Sequence, residues 1–334
     1  MRILVTGGAG YIGSIVSREL LSSGHDVIIY DNLSHGHRES VPPRAEFIYG
    51  DIGDSDRLNS VFGRCAIDAV MHFAAFIEAG ESMLKPEKYF RNNSANTLTL
   101  LETMLRHRVQ KLVFSSTAAV YGDPENTPVS EDAALKPTNA YGESKLMVEQ
   151  MLAWFHRSHA LRYCSLRYFN AAGAIGGLGE AHHPETHLIP LLLEVALGRR
   201  AEFSIFGGDY PTPDGTCVRD FIHVADLAVA HRLALNALDK SCRLIYNLGN
   251  GAGFSVREVL EVARQVTGHA IPALELPRRP GDPARLVAGS NKIKAELNWQ
   301  PRYPGLHSIL KSAWEWSTHS ALMKAAGHEL LKTS

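Results

Sequence analysis

The chain has 334 residues, 45% apolar and 21% charged, which is the make-up of an ordinary globular protein with room for one large or two medium domains. With 34 basic and 35 acidic residues the formal charge is −1, which argues against a nucleic-acid partner or an anionic membrane surface. Cys65, Cys164, Cys217 and Cys242 stand far apart with no C-x-x-C pair, so no metal or disulfide framework is expected and a reducing cytoplasm fits.

Met1 to Thr6 opens on a strand pattern that runs into glycines, not on a signal peptide, and no run of 18 apolar residues predicts a membrane span. Short apolar runs then alternate with amphipathic stretches, which predicts βαβ units and a parallel sheet. In chain order we expect a strand at Ile3–Val5, a helix at Tyr11–Ser23 closed by Gly24, and strands at Val27–Tyr30, Phe47–Tyr49 and Ala69–His72. A helix over roughly Pro86–His107, a strand at Leu112–Ser115, a helix from about Tyr141 to Ser158 and a strand at Tyr163–Tyr168 follow. Beyond Asn170 the texture changes, with small or glycine-rich loops at Ala171–Gly179 and Gly207–Gly215. Val224–Ala237 reads as a helix and Leu244–Leu248 as another sheet strand; Trp299, Trp314 and Trp316 are expected to pack a second lobe.

Between the first strand and the first helix lies Thr6-Gly7-Gly8-Ala9-Gly10-Tyr11-Ile12-Gly13. Gly8, Gly10 and Gly13 give G-x-G-x-x-G, and Gly7, Gly10 and Gly13 give G-x-x-G-x-x-G. Such a turn lets a pyrophosphate approach the backbone and rest on the helix N-terminus. Asp31 ends the second strand about 20 residues on, where an acid can bridge ribose hydroxyls. Asn32 and Leu33 follow it rather than an arginine, which favours NAD over NADP. The fold expected is therefore α/β, a Rossmann-type doubly wound parallel sheet. Residues 1–170 form the NAD-binding domain, 223–249 return to it, and 171–222 with 250–334 make a smaller mixed α/β substrate lobe.

Tyr141 and Lys145 stand four apart, on one face of a helix. A free tyrosine titrates near 10, too high for a base at neutral pH; a nearby ammonium and an oxidised nicotinamide would lower it. Joined to the glycine turn, Tyr141 and Lys145 make a short-chain dehydrogenase signature, with Thr117 of Ser115-Ser116-Thr117 as the hydroxyl donor. A strand-end cap would suit Ser115 or Ser116 equally well.

At Tyr121-Gly-Asp123, Tyr141 to Glu149, Arg167-Tyr-Phe-Asn170 and above all Asp209 to Val224, the chain resembles the UDP-galactose (UDP-glucose) 4-epimerases of the extended short-chain dehydrogenase/reductase family, from Met1 to about Trp299. The resemblance implies inversion of C4 of a UDP-hexose through transient oxidation with bound NAD, in a cytoplasmic homodimer joined by helices near Met83–His107 and Tyr141–Ser158. It also implies NAD contacts at Gly7, Gly10, Tyr11, Ile12, Gly13, Asp31, Asn32, Leu33, Ser34, His35, Gly36, Asp51 and Ile52. Phe73, Ala74, Ala75, Phe76, Ile77, Asn92, Lys145 and Phe169 complete that site. Asn170, Leu188, Phe206, Arg219, Arg279 and Asp282 resemble positions that hold UDP, beside Thr117 and Tyr141 at the sugar. Arginine suits a diphosphate, Asp282 can accept from a ribose hydroxyl, and Phe206 offers a face to uracil.

Four departures stand out. Thr117 replaces a serine, Ile77 a pocket lysine, and Thr186-His187-Leu188 an Asn-Asn-Leu loop; Leu286 replaces a bulkier tyrosine, which predicts room for a 2-acetamido group. A UDP-uronate or UDP-pentose 4-epimerase would share almost all of these residues, as would a net reductase or a non-catalytic NAD-binding relative. A 4,6-dehydratase would need an acid pair where Ala118 and Ala119 stand. His183 and His187 have helical metal-ligand spacing, but Pro184 intervenes and the glutamate of H-E-x-x-H is missing, so no metal is expected. From spacing alone, His35 and His37 merely decorate the loop after Asp31.

Overall fold

The computed structural model describes residues 1–279 and 281–332; Pro280, Thr333 and Ser334, within the expected second lobe, lie outside the described residues. The first half runs β1 (Arg2–Thr6), α1 (Tyr11–Ser22), β2 (Asp26–Asp31), β3 (Glu46–Tyr49), α2 (Ser55–Arg64), β4 (Ala69–His72), α3 (Ala79–Leu84) and α4 (Pro86–Tyr89). A π-helical turn, Phe90–Ala95, joins α4 to α5 (Asn96–Arg106), so the helix expected over Pro86–His107 is continuous but locally widened. Next come β5 (Lys111–Thr117), α6 (Ala140–His159), β6 (Arg162–Tyr168), β7 (Asn170–Ala172) and α7 (Leu188–Ala196). The remainder is β8 (Phe203–Phe206), β9 (Val218–Arg219), β10 (Phe221–His223), α8 (Val224–Ala237), β11 (Arg243–Leu248), β12 (Phe254–Ser255), α9 (Val256–Thr267), β13 (Ala273–Leu276), β14 (Arg285–Leu286), α10 (Asn291–Leu297) and α11 (Leu306–Lys332).

Seven strands form one parallel sheet in the order β11-β6-β5-β4-β1-β2-β3. Alternate residues feed opposite faces, as the period of a strand requires. Ile3, Val5, Ile29 and Met71 pack under α1 and α8, whereas Leu4, Ile28, Val70 and Phe114 pack under α2, α5 and α6. A sheet buried on both faces reads as near-continuous apolar sequence, which is why these strands were visible beforehand. The strand order reverses between β1 and β4, so a crevice opens at their carboxyl ends, where doubly wound sheets bind ligands.

A second core gathers α7, α9 and α11 against β8, with short strand pairs around it. Helix α9 is fixed by a capping box between Ser255 and Glu258. Trp299 is a correction to expectation: it is fully buried in the core of the large sheet, and its indole N–H donates to the Asp226 carbonyl at 3.0 Å. The chain thus crosses back over α8 after α10; Asp226 then receives the backbone N–H groups of Arg302 and Tyr303 at 2.7 and 2.9 Å. Trp314 does pack against the second core. No helix of the described residues is long and apolar enough to cross a membrane.

Candidate active site

Thr6 ends β1 and Tyr11 starts α1, so the glycine turn sits at the switch point of the sheet. Gly7 holds φ +70°, and a Cβ there would lie 2.5 Å from the Ala74 backbone nitrogen; a Cβ on Gly13 would lie 2.2 Å from the Gly7 carbonyl oxygen. Strand, turn and helix are thus packed backbone to backbone, which only glycine permits. The Gly10 position caps α1 without a side-chain acceptor, leaving helix N–H groups for an anion. Asp31 closes β2, buried, with its oxygens accepting from Ala9 N at 2.9 Å and Leu33 N at 2.8 Å. Burial raises its carboxyl above the usual range, opposed by those two N–H groups. Asp51 is oriented by Asn32 Nδ2 and Gly53 N, each at 2.7 Å.

These groups line a cavity of about 290 Å³. Every residue expected at the NAD site lines it except Leu33, whose side chain turns into the core and whose contribution is the N–H on Asp31. Tyr30, Gly50, Ser115, Tyr168, Glu180 and His182 also line it and were not foreseen. His35 does more than decorate: it stands edge-on to Phe76 with ring centres 5.4 Å apart, and its Nδ1 is 3.6 Å from Glu78. The segment after β4 is held by Asn93, which accepts from Phe76 N and donates to its carbonyl, both at 2.9 Å. The π turn carries both Asn93 and Asn92, whose Nδ2 donates to Asn93 Oδ1 at 3.0 Å and which lines the cavity.

Tyr141 lies in the first turn of α6, where the Asn139 side chain accepts from Gly142 N at 2.8 Å and Ser82 Oγ accepts from Tyr141 N at 3.1 Å. Its phenol meets the Thr117 hydroxyl, which favours ionisation, but burial outweighs this and pushes the phenol up to about 12. Lys145 is buried, donates to the Ser115 carbonyl at 2.9 Å, and is pushed down to about 7 by desolvation. The sequence predicts that Lys145 and an oxidised nicotinamide nearby together lower the Tyr141 value. In the protein alone, burial opposes the charged form of both groups. Thr117 also accepts from Ala119 N at 3.1 Å, so it serves as the strand-end cap too. Ser115 pairs with the Tyr168 phenol and Ser116 donates to Glu149 at 2.6 Å, so both hydroxyls are engaged elsewhere.

A second cavity of about 280 Å³ opens beside the first, lined by Leu188, Phe206, Arg219, Arg279 and Asp282. Asn170, Ala171 and His187 line both. Arg219 donates to the carbonyls of Val218 and Pro283, stands 3.4 Å from Asp282, and keeps a buried Nη2 without a hydrogen bond among the described residues. Arg279 covers Phe206 at 3.8 Å from the ring centre, so the face offered to a uracil is occupied by a guanidinium here. Leu286 lines neither cavity. It pairs with Arg219 between β14 and β9 and packs on the cluster containing Phe169. Asp220, next to Arg219, is a buried brace accepting from Asn250, Gly251 and Ala288 N at 2.8, 2.9 and 3.0 Å.

A glycine turn at a sheet switch point, an acid ending the second strand, and a Tyr–Lys helix facing a Thr define a dinucleotide-dependent short-chain dehydrogenase-type site. The residues fit NAD: backbone approach at Gly7 and Gly13, an uncapped helix start, and Asp31 with no arginine directly after it. The NAD dependent epimerase/dehydratase family matches residues 3–249. The UDP-glucose 4-epimerase of Halalkalibacterium halodurans is 53% identical over 319 residues, 95% of each chain. The crystal structure of UDP-glucose 4-epimerase from Brucella ovis in complex with NAD is 44% identical, with TM-score 0.91 over 94% of this chain and 97% of that one. That from Bifidobacterium longum with NAD+ and UDP is 40% identical, with TM-score 0.91 over 96% and 98%. The chain belongs to the NAD dependent epimerase/dehydratase family.

Proposed function

We propose that the protein interconverts UDP-galactose and UDP-glucose by transient oxidation and re-reduction at C4, with NAD retained throughout. The observation that carries this is the position of Tyr141 and Thr117 on the wall of the NAD-type cavity, which shares Asn170, Ala171 and His187 with the arginine-lined one. NAD, when bound, supplies a reversible two-electron acceptor for C4 and, oxidised, a positive charge that favours the Tyr141 phenolate. Tyr141 takes the C4 hydroxyl proton and later returns it, while Thr117 hydrogen-bonds that oxygen. Arg219 and Arg279 hold the diphosphate, Asp282 the ribose, and Leu188 and Phe206 the uracil side. Holding the nucleotide fixed while the sugar turns keeps the return step effectively unimolecular.

The test is to incubate the purified protein with UDP-glucose, UDP-N-acetylglucosamine, UDP-glucuronate and UDP-xylose without added NAD, scoring products by NMR. Formation of UDP-galactose supports the reading; conversion confined to the uronate or the pentose would replace it. We further propose that Leu286, which lines neither cavity but packs behind Phe169 and pairs with Arg219, lets that wall give way to a 2-acetamido group where a tyrosine would press it inward. Leu286→Tyr should then cut N-acetyl turnover at least about tenfold while sparing UDP-glucose, as one lost fit in an apolar pocket does. No N-acetyl activity in the unaltered protein would sink that part.

Gly13→Ala should strip the protein of its dinucleotide, since the added Cβ pushes turn and helix apart. Cofactor released on denaturation measures this, and full retention would contradict it. The exposed Met83, Leu84, Leu98, Leu105, Met147 and Trp154 on α3, α5 and α6 support a homodimer through those helices. Four free cysteines, three of them buried, support a cytoplasmic setting.

A further inference from the structure

The segment from Glu180 to His187 gathers groups that the proposed reaction leaves unused. A carboxylate oxygen of Glu180 and one ring nitrogen each of His182 and His187 lie within 4.8 Å of one another. All three line the larger cavity, and His187 also lines the smaller. From spacing alone, His183 was the candidate partner of His187; in the fold His183 is exposed and His182 takes its place. That is why the intervening Pro184 does not decide the matter.

Two imidazoles and a carboxylate are the donor set of open three-ligand zinc sites, which leave a fourth position to water or another ligand. Donors about 2.1 Å from a tetrahedral ion stand about 3.4 Å apart. Closing from the present spacing asks the His182 ring, whose Nδ1 meets Glu180 Oε1, to release that contact or to offer Nε2, and Glu180 to present its other oxygen. The segment is already anchored: His37 Nε2 meets the Ala181 carbonyl at 3.1 Å, and Arg18 donates to the Gly176 carbonyl at 2.5 Å. Glu180 accepts from the backbone N–H groups of Ala181 and His182 at 2.9 and 3.1 Å, which fixes its carboxylate at the loop. Glu185 stands 2.8 Å from His187 Nδ1, leaving Nε2 of that ring for an ion. A carboxylate behind a ligating imidazole sets its tautomer and orientation in metal sites generally.

We infer that Glu180, His182 and His187 form a binding site for a divalent transition cation, with zinc the best-fitting ion, in the wall of the two cavities. The inference goes beyond the epimerase reading and does not depend on it. The test is titration of the full-length, chelator-treated holoenzyme with zinc chloride, by calorimetry and by competition with a chromophoric zinc chelator. One ion per chain is expected, bound at least about tenfold more weakly in His182→Ala and in the shape-preserving Glu180→Gln, and equally well in His183→Ala. Cobalt in place of zinc should give the visible absorption of a four-coordinate site. Absence of stoichiometric uptake, or the same affinity in all four proteins, would overturn the site. Because the readout is metal binding, neither result bears on turnover of UDP-sugars.

Discussion

Replacing Tyr141 with phenylalanine is expected to lower kcat by about a hundredfold to ten-thousandfold, the usual worth of a positioned acid–base group. The change removes one oxygen from a half-buried ring and keeps the helix start intact, because Ser82 Oγ still accepts from the residue 141 backbone N–H. Retention of NAD and of UDP should therefore stay near that of the unaltered protein, so the loss falls on kcat and not on KM. The Tyr141 phenol lines the cavity beside Thr117, whose hydroxyl oxygen also accepts from Ala119 N. A near-normal kcat in this variant would remove Tyr141 as the base. Lys145→Met should also slow turnover, since it removes the cation that, with NAD bound, would favour a Tyr141 phenolate; in the protein alone, desolvation pushes Lys145 down to about 7.

The second large effect is on stability. Arg167 in β6 donates to Glu149 in α6 through Nε at 2.9 Å and Nη2 at 2.5 Å, both side chains almost wholly buried. Nη1 donates to the Tyr121 phenol at 2.9 Å, which in turn donates to Asn247 Oδ1 at 2.7 Å in β11. Ser116 completes the set on Glu149. Arg167→Met leaves the Glu149 carboxylate buried with only a serine, and breaking a buried pair from one side costs about 3–5 kcal/mol. That is a large share of the roughly 5–15 kcal/mol that holds a domain together. Removing both partners, Arg167→Met with Glu149→Leu, should recover part of the loss, because the uncompensated charge is then gone. Urea denaturation of the three proteins checks this; a single variant within about 1 kcal/mol of the parent would show that the network is dispensable.

That network also says why Tyr121, Glu149 and Arg167 fall within the stretches by which the family was recognised in sequence. They do not touch the cavity chemistry; they brace β5, β6 and α6, which carry Thr117, Tyr168 and Tyr141. The large sheet was legible because its strands are buried on both faces and its glycine turn is local. Helix α2 carries its own local signal: Asp54 accepts from Arg57 N as its cap, and Leu58, Val61 and Phe62 follow at helical spacing. The second lobe was less legible for a physical reason. Val218–Arg219, Phe254–Ser255 and Arg285–Leu286 are two-residue strands, too short to show a period. Trp299 could not be assigned from sequence either, since its place depends on the chain recrossing α8.

Within the site, the residues tied to local motifs were readable, and those assembled across space were not. Tyr168 sits in a recognised stretch, but which side of β6 meets the cavity end is set by pairing with β5 and β11. His182 and Glu180 reach the cavity only because the loop folds back over Tyr11, whose hydroxyl donates to the Gly173 carbonyl at 2.6 Å. The Tyr–Lys pair is legible only in part for a related cause: spacing shows that the two groups are neighbours, but not how much water each has lost.

The most direct measurement is to supply UDP-galactose deuterated at C4 and follow the label by NMR in ordinary water with no added cofactor. Oxidation and return at one enclosed carbon requires UDP-glucose that still carries its deuterium at C4. Loss of the label to solvent, or turnover that starts only when NAD is added in quantity and leaves NADH behind, would contradict the account.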